Sequence, residues 1–504
     1  MDAPRLGSKQ ELAALRDLLR AASFAAPEVC LRLGIDTVYD FRSIREGRTT
    51  VLETVDPLDL LIRLFMDVEL VERETVEGLL PPGGMSILEQ LGMLTPSDAD
   101  DRLCHATVLL YPTESLWIAS DLNVSPAGVA ETVLQEDAVY PAVSQNTRHF
   151  LSSLPKTPCE SFLELCAGTG IAALLASRYA GHTWATDITE RATRFARFNA
   201  ALNGIENCTA VRGDLYEAVA GRVFDRIVAH PPYMPSLEQK YIFRDGGEDG
   251  EQITRRIIGG LPDYLRPGGR FYCTCMLTER KGARAEDRIR AMLGSRQSEF
   301  DVLLVTVRSF QPTEYYFRLA LEGRAHLEEV VQRHQIFQHL EVEQLIYCSM
   351  VVQRIPESRP AFTARRQAGH GLGTKEVERL LRWEATVARP ERVEQLIQAR
   401  PTASPHCRLR LTHVLQGEAW APEDCFLSTN VPFTVEAKCP PWTAALVARC
   451  DGRRTTREQL QFLKESGAVP LEASESEFVR FVRSLIAGGF LQVADPPDQP
   501  LGAP

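Results

Sequence analysis

The chain has 504 residues, 44% of them apolar and 24% charged, and a net charge of −11. That length is too great for one ordinary core and asks for about three domains, while the acidic balance argues against a phosphate-binding surface over the whole molecule. No apolar run approaches the ~20 residues needed to span a bilayer, and Met1 to Ser8 has no apolar core of a secretory signal, so the expected compartment is the cytoplasm, with no membrane partner.

From the N-terminus, Leu12–Ala25, Pro57–Met66 and Met85–Leu94 carry apolar residues at helical spacing. Cys104–Tyr111 and Leu116–Ser120 read as two strands split by Pro112-Thr113-Glu114. Helices followed by a short hairpin give a winged-helix-like α+β domain over 1–135, but acidic residues outnumber basic ones from Glu53 to Glu89, which argues against a DNA-reading face. The segment 136–355 alternates strands (Ser161–Cys166, His182–Thr186, Thr209–Arg212, Arg226–Ala229, Arg270–Met276, Asp301–Val307, Gln344–Val352) with helices (Ile171–Tyr179, Glu190–Leu202). That alternation is the pattern of a doubly wound α/β sheet. A helix over Ala325–Leu340 is one that a minimal nucleotide-binding sheet would not need. Residues 356–404 read as a Pro-, Arg- and Gly-rich linker, including Ala364–Gly373, and a charged helix over Lys375–Ala399. The last domain, 405–495, reads as a winged-helix-like α+β substrate-recognition domain, with strands Arg408–Leu415 and Cys425–Val435, helices Trp442–Cys450, Thr456–Glu465 and Glu475–Ala487, and a Gly488-Gly489 turn into Phe490–Val493; the Pro-rich end from Asp495 reads as frayed.

Twelve cysteines are scattered from Cys30 to Cys450 without a Cys-x-x-Cys pair. Reduced, packed thiols are expected, and no metal, since a zinc site needs four clustered ligands.

The segment Phe162 to Ala172, Phe-Leu-Glu-Leu-Cys-Ala-Gly-Thr-Gly-Ile-Ala, carries the chemistry. A strand ending in Glu164 runs into a turn of Cys166, Ala167, Gly168 and Gly170, and the turn opens a helix. Glycines there let a ligand approach the backbone, and the helix start offers N–H donors. The third glycine of a dinucleotide fingerprint and the Gly-Lys-Ser/Thr of a phosphate loop are both missing. Asp187 ends the next strand and can accept from ribose hydroxyls, with Ile188 beside it. Asp214, followed by Leu215, ends the third and can accept from an adenine amino group. Phe224 to Ala229 then runs into His230-Pro231-Pro232-Tyr233, where proline ends pairing and stiffens the loop.

In this order the motifs resemble the class I S-adenosylmethionine-dependent methyltransferases, and within them the Asn-Pro-Pro-Tyr amino methyltransferases, such as the release-factor glutamine N5-methyltransferases. Val139 to Thr147, Val-Tyr-Pro-Ala-Val-Ser-Gln-Asn-Thr, resembles the segment preceding the sheet in the glutamine enzymes, and the resemblance covers about 136–280. It implies a Rossmann-like seven-stranded sheet with the last strand antiparallel. It implies S-adenosylmethionine held by Tyr140, Thr147, Glu164, Cys166, Ala167, Gly168, Gly170, Asp187, Ile188, Asp214, Leu215 and His230. It also implies methyl transfer to an amide or amine nitrogen of a protein, peptide or nucleic acid, with a protein or peptide favoured, the acceptor held by His230, Pro231, Pro232 and Tyr233. Two departures stand out: Cys166 replaces the first glycine of the turn, and His230 replaces an Asn or Asp that accepts from a planar NH₂ while Tyr stacks on it. Neutral His accepts with one nitrogen; with an ordinary pKa near 6.5 it is also a base for an oxygen or charged-amine nucleophile. A tailoring enzyme for a small molecule or ribosomal peptide, and a non-catalytic binding protein on the same scaffold, are the other readings. The flanking domains are expected to select the substrate.

Overall fold

The computed structural model describes residues 3–41, 53–123, 134–236, 238–321 and 326–493. Ala325 and the Pro-rich end from Asp495 lie outside them. The chain forms two compact units: Met1–Gln297 with Arg308–Pro356, and Ser298–Val307 with Glu357–Pro504.

In the first unit six strands lie in the order Val342–Arg354, Leu265–Arg280, Phe224–Ala229, Cys159–Leu165, Ala180–Asp187, Cys208–Arg212. The first pair is antiparallel and the rest are parallel. Chain order reverses at Cys159–Leu165, which has Ala180–Asp187 on one side and Phe224–Ala229 on the other. In such sheets a crevice opens at the carboxyl ends of the strands at this reversal. The central strands Cys159–Leu165 and Phe224–Ala229 are buried on both faces over most of their length, as parallel strands are, whereas the outermost strand Cys208–Arg212 is mostly half-exposed. The seventh expected strand, Phe300–Phe310, begins in the second unit, where its Val302–Thr306 stretch pairs with Thr363–Gln367.

The N-terminal segment packs as part of the first unit. Helices Lys9–Ala21 and Ala26–Leu33 precede a small antiparallel sheet of Val71–Glu72, Leu103–Ala106 and Leu94–Pro96. The strand expected at Cys104–Tyr111 is two strands in two sheets. Thr107 breaks it, its hydroxyl donating to Gly92 O at 2.6 Å and its N–H to Met93 O at 3.1 Å. Val108–Thr113 then pairs with Leu116–Asp121 around Glu114 and Ser115, both at positive φ. Helix Glu190–Leu202 grips this hairpin: Asn199 exchanges two hydrogen bonds with Ala119, at 2.8 and 3.0 Å, and Arg191 is ion-paired with Asp121.

In the second unit five strands lie in the order Arg408–Gln416, Ala419–Thr429, Phe433–Lys438, Thr363–Ala368, Phe300–Phe310. The expected linker thus contains a strand, Thr363–Ala368, anchored by Arg359, which is buried against Asp301. The strand expected at Cys425–Val435 is two strands, because Pro432, after a cis peptide bond, cannot continue the ladder and Thr429 Oγ1 accepts from Val431 N. Three helices, Thr443–Arg449, Thr456–Glu465 and Glu475–Ala487, close a core around Leu427, Leu446, Leu463, Phe478 and Phe490. Among the described residues no helix is long and apolar enough to cross a membrane.

An ionic knot around the fully buried Glu251, with Arg288 only partly exposed, holds the first unit's sheet to its helices. Glu251, at the start of helix Gln252–Tyr264, accepts from Thr278 N at 2.8 Å, from Thr278 Oγ1 at 2.7 Å and from Arg288 Nη2 at 2.6 Å. Removing one partner strands the other charge. Glu251→Ala should therefore cost about 3–5 kcal/mol of stability, read as a lower urea midpoint; a change under about 1 kcal/mol, the scale of a surface ion pair, would show that the knot is solvated.

Candidate active site

The turn after Cys159–Leu165 is built from left-handed backbone: Cys166, Gly168 and Gly170 have φ of 54°, 52° and 77°. Cys166 adopts this conformation with a side chain, at a cost of about 1–2 kcal/mol, and burial pushes its thiol well above the ordinary range. Three groups pin the turn. Asp187 Oδ2 accepts from Gly168 N at 2.9 Å. Glu164 accepts from Ala172 N at 3.3 Å and Ala173 N at 2.7 Å, where helix Ile171–Ala176 begins. Asn199 Nδ2 donates to Thr169 O at 3.1 Å. Burial pushes Glu164 up to about 8 against the pull of the two N–H groups. Asp187 is raised by the same cause, opposed by Gly168 and by Thr189, whose N–H reaches Oδ1 at 3.1 Å.

Asp214 projects from the turn after Cys208–Arg212, and its Oδ2 is paired with Arg256 at 2.8 Å. Arg256, on helix Gln252–Tyr264, is a site residue that the sequence pattern does not reveal.

His230-Pro231-Pro232-Tyr233 leaves the end of Phe224–Ala229 and meets helix Gln145–Ser152. Phe150 stacks on the His230 ring at 5.2 Å and 27°, and Asn146 Nδ2 donates to Tyr233 Oη at 3.0 Å. His230 Nε2 is buried with no hydrogen-bond partner. Burial, and to a lesser degree nearby His149, lowers the His230 pKa to about 4. Burial also raises the Tyr233 phenol well above its ordinary value. Both rings are therefore neutral at neutral pH. The chain after Tyr233 doubles back so tightly that a Cβ on Gly246 would lie 2.8 Å from Pro232 O, which fixes the loop from behind.

These elements line one cavity of about 550 Å³. Tyr140, Thr147, Glu164, Cys166, Ala167, Gly168, Asp187, Ile188, Asp214, Leu215, His230, Pro231, Pro232 and Tyr233 all border it. Gly170 instead stands behind the turn, where a Cβ would meet Ala196 Cβ at 3.0 Å. Tyr140 stacks on Phe243 at 5.1 Å, forming an aromatic wall. Tyr315, Leu319 and Arg333, from helices Pro312–Leu321 and Leu327–His339, complete the lining. Of these, Phe243 and Arg333 lie in stretches without a recognisable motif, and only the fold brings them to the cavity.

A parallel sheet whose switch-point crevice holds a glycine turn, strand-end acids and a Pro-Pro-Tyr loop defines a class I methyltransferase domain. Residues 132–295 match the methyltransferase small domain family. The chain is 27% identical over 286 residues to a ribosomal protein uL3 glutamine methyltransferase of Bordetella pertussis, covering 52% of this chain and 84% of that one. It is 37% identical over 128 residues to a release factor glutamine methyltransferase of Cereibacter sphaeroides, covering 23% of this chain and 46% of that one. It is 34% identical over 131 residues to a uL3 glutamine methyltransferase of Bradyrhizobium diazoefficiens, covering 23% and 41%; the chain thus spans less than half the length of the latter two. Its central domain is thus similar to the S-adenosylmethionine-dependent glutamine methyltransferases.

The residues present fit that cofactor. A Cβ on Gly168 would meet no atom within 4 Å, so the turn leaves open space beside its backbone, and Asp187 and Asp214 face the same cavity. Asp187→Ala would remove the clamp on Gly168 N together with the acceptor that the resemblance assigns to the cofactor. It should weaken S-adenosylmethionine binding by about 1.5–3 kcal/mol, the scale of a charge-assisted hydrogen bond. Unchanged affinity by calorimetry would remove Asp187 from the cofactor site.

Proposed function

We infer that the chain transfers a methyl group from S-adenosylmethionine to the nitrogen of a planar amide carried by a protein substrate. The observation that carries this reading is His230: a neutral ring clamped against Phe150, with a buried, unpartnered nitrogen, beside the face of a protonated Tyr233. An acceptor of that kind suits an NH₂ group and matches the Asn or Asp of the resembling family in function. The names of the similar proteins point to the same acceptor, a glutamine side chain.

When bound, the cofactor supplies a methyl group already activated on a sulfonium. What remains for the protein is alignment and exclusion of water. His230 and the Pro231 carbonyl accept hydrogen bonds from the two amide N–H groups, which turns the nitrogen toward the methyl; as the new N–C bond forms and the methyl's bond to sulfur breaks, one of these protons is released to solvent. The Tyr233 ring supports the planar group from one side, itself held by Asn146. The competing reading, His230 as general base for an oxygen, needs a pKa near the working pH; a value about 4 makes it a poor base.

The pH dependence follows. A histidine at about 4 in the folded chain and near 6.5 when unfolded contributes stability that is complete above the unfolded value and is lost as pH falls through the folded one. The acid limb of kcat/KM should therefore lie near pH 4, with no inflection at 6.5. His230→Asn should keep activity within about tenfold, because an amide oxygen also accepts, whereas loss of a true general base costs about 10²–10⁴-fold. Collapse of turnover in His230→Asn with cofactor binding intact would overturn the amide reading.

A further inference from the structure

Strand Arg408–Gln416 is the last strand at one end of its sheet, paired on one side only, with Ala419–Thr429. Its outward side has no strand partner among the described residues, and the strand's nine residues span about 31 Å at 3.4 Å per residue. Soluble proteins blunt such edges with short strands, prolines or inward charges. This one is long, contains no proline and carries an apolar stripe instead. Leu409, Leu411 and Leu415 alternate along one face with His413, and Trp420 lies directly across from Leu415. Leu415 is 57% exposed and Trp420 68%. The bulge between Thr412 and His413 falls on the neighbouring strand, so the stripe runs unbroken.

We propose that this edge pairs with the same edge of a second copy of the chain, antiparallel and centred on Thr412. In that register Leu409 faces Leu415, Leu411 faces His413, Arg410 faces Val414 and Arg408 faces Gln416. The strand is complementary to itself: apolar side chains meet across the two-fold axis, and no arginine opposes an arginine. Charge agrees. The hairpin turn Gly417-Glu418 follows Gln416, so each Arg408 comes beside the Glu418 of the other copy. Neither residue has an ion-pair partner among the described residues. Such an isologous pairing closes on itself and leaves no free edge to propagate. Two nine-residue strands make an interface at the small end of specific contacts, so the dimer is weak and concentration-dependent.

Sedimentation velocity of the full chain from low to high micromolar concentration tests this. The expected result is a reversible monomer–dimer equilibrium whose Kd rises at least about tenfold, 1.4 kcal/mol, in the double variant Leu411→Lys, Leu415→Lys, with the far-ultraviolet circular dichroism unchanged. A second measurement does not depend on that variant folding. Thr412→Cys places the new thiol opposite its own copy, within disulfide reach. Diamide should therefore convert it to a covalent dimer on a non-reducing gel, beyond the level of the unmodified chain, while Arg408→Cys, opposite Gln416, stays at that level. A chain that remains monomeric throughout, whether or not an extended peptide of another protein binds the edge, overturns the proposal. So does a dimer indifferent to both the lysines and Thr412→Cys.

Discussion

The first unit is organised around the need to hold a left-handed backbone turn at the end of one strand. Cys166, Gly168 and Gly170 all have positive φ, Gly168 and Gly170 donate their N–H groups to Asp187 Oδ2 and Ala167 O, and a turn of this kind survives only where neighbours over-determine it. The neighbours come from three elements. Asp187 reaches from the adjacent strand, Glu164 from the strand that enters the turn, and Asn199 from the helix behind. Asn199 also binds the backbone of Ala119 in the N-terminal hairpin. The N-terminal segment is therefore part of the support of the turn, which gives a physical reason why it packs in the same unit as the sheet.

Burial is the main electrostatic device of the cavity. It lowers His230, raises Tyr233 and Cys166, and raises Glu164 to about 8. Each shift has the same sense: it disfavours charge on the group it acts on. In the proposed reaction, neutral His230 and Tyr233 at the acceptor end would orient the nucleophile without a competing anion beside the transferring methyl. Elsewhere in the lining, Asp214 is ion-paired with Arg256.

The central sheet and the order of its acids were readable because their signals are local. A short apolar run ending in an acid or a glycine turn is decided within about ten residues, and Cys159–Leu165, Ala180–Asp187 and Phe224–Ala229 appear where the pattern places them. The misread elements depend on distant partners. Nothing near Thr107 announces that it breaks a strand by bonding Gly92 and Met93. Arg365 and Arg366 look like linker residues until Arg366 meets Glu384 and the segment finds Phe300–Phe310. The same division runs through the site. The strand-end residues were legible, but Arg256 and Phe150 act through partners 42 and 80 positions away, Asp214 and His230.

The part of the cavity nearest the Pro-Pro-Tyr loop has a different origin from the cofactor end. Arg333 donates to Pro235 O at 3.1 Å, packs over Tyr316 at 4.7 Å and pairs with Glu329 at 3.1 Å. It thereby fixes helices Pro312–Leu321 and Leu327–His339 beside the loop that follows Tyr233. Both helices lie beyond residue 295, where the family match ends, and a minimal nucleotide-binding sheet has no use for them. Tyr315 and Leu319 face inward from the first of these helices, while Phe317, on the same helix, is half exposed. The wall next to the acceptor position is thus made by residues outside the shared core. Under the proposed function, binding energy that distinguishes one substrate from another would be drawn from such residues, because the groups proposed to align the amide would meet every substrate alike.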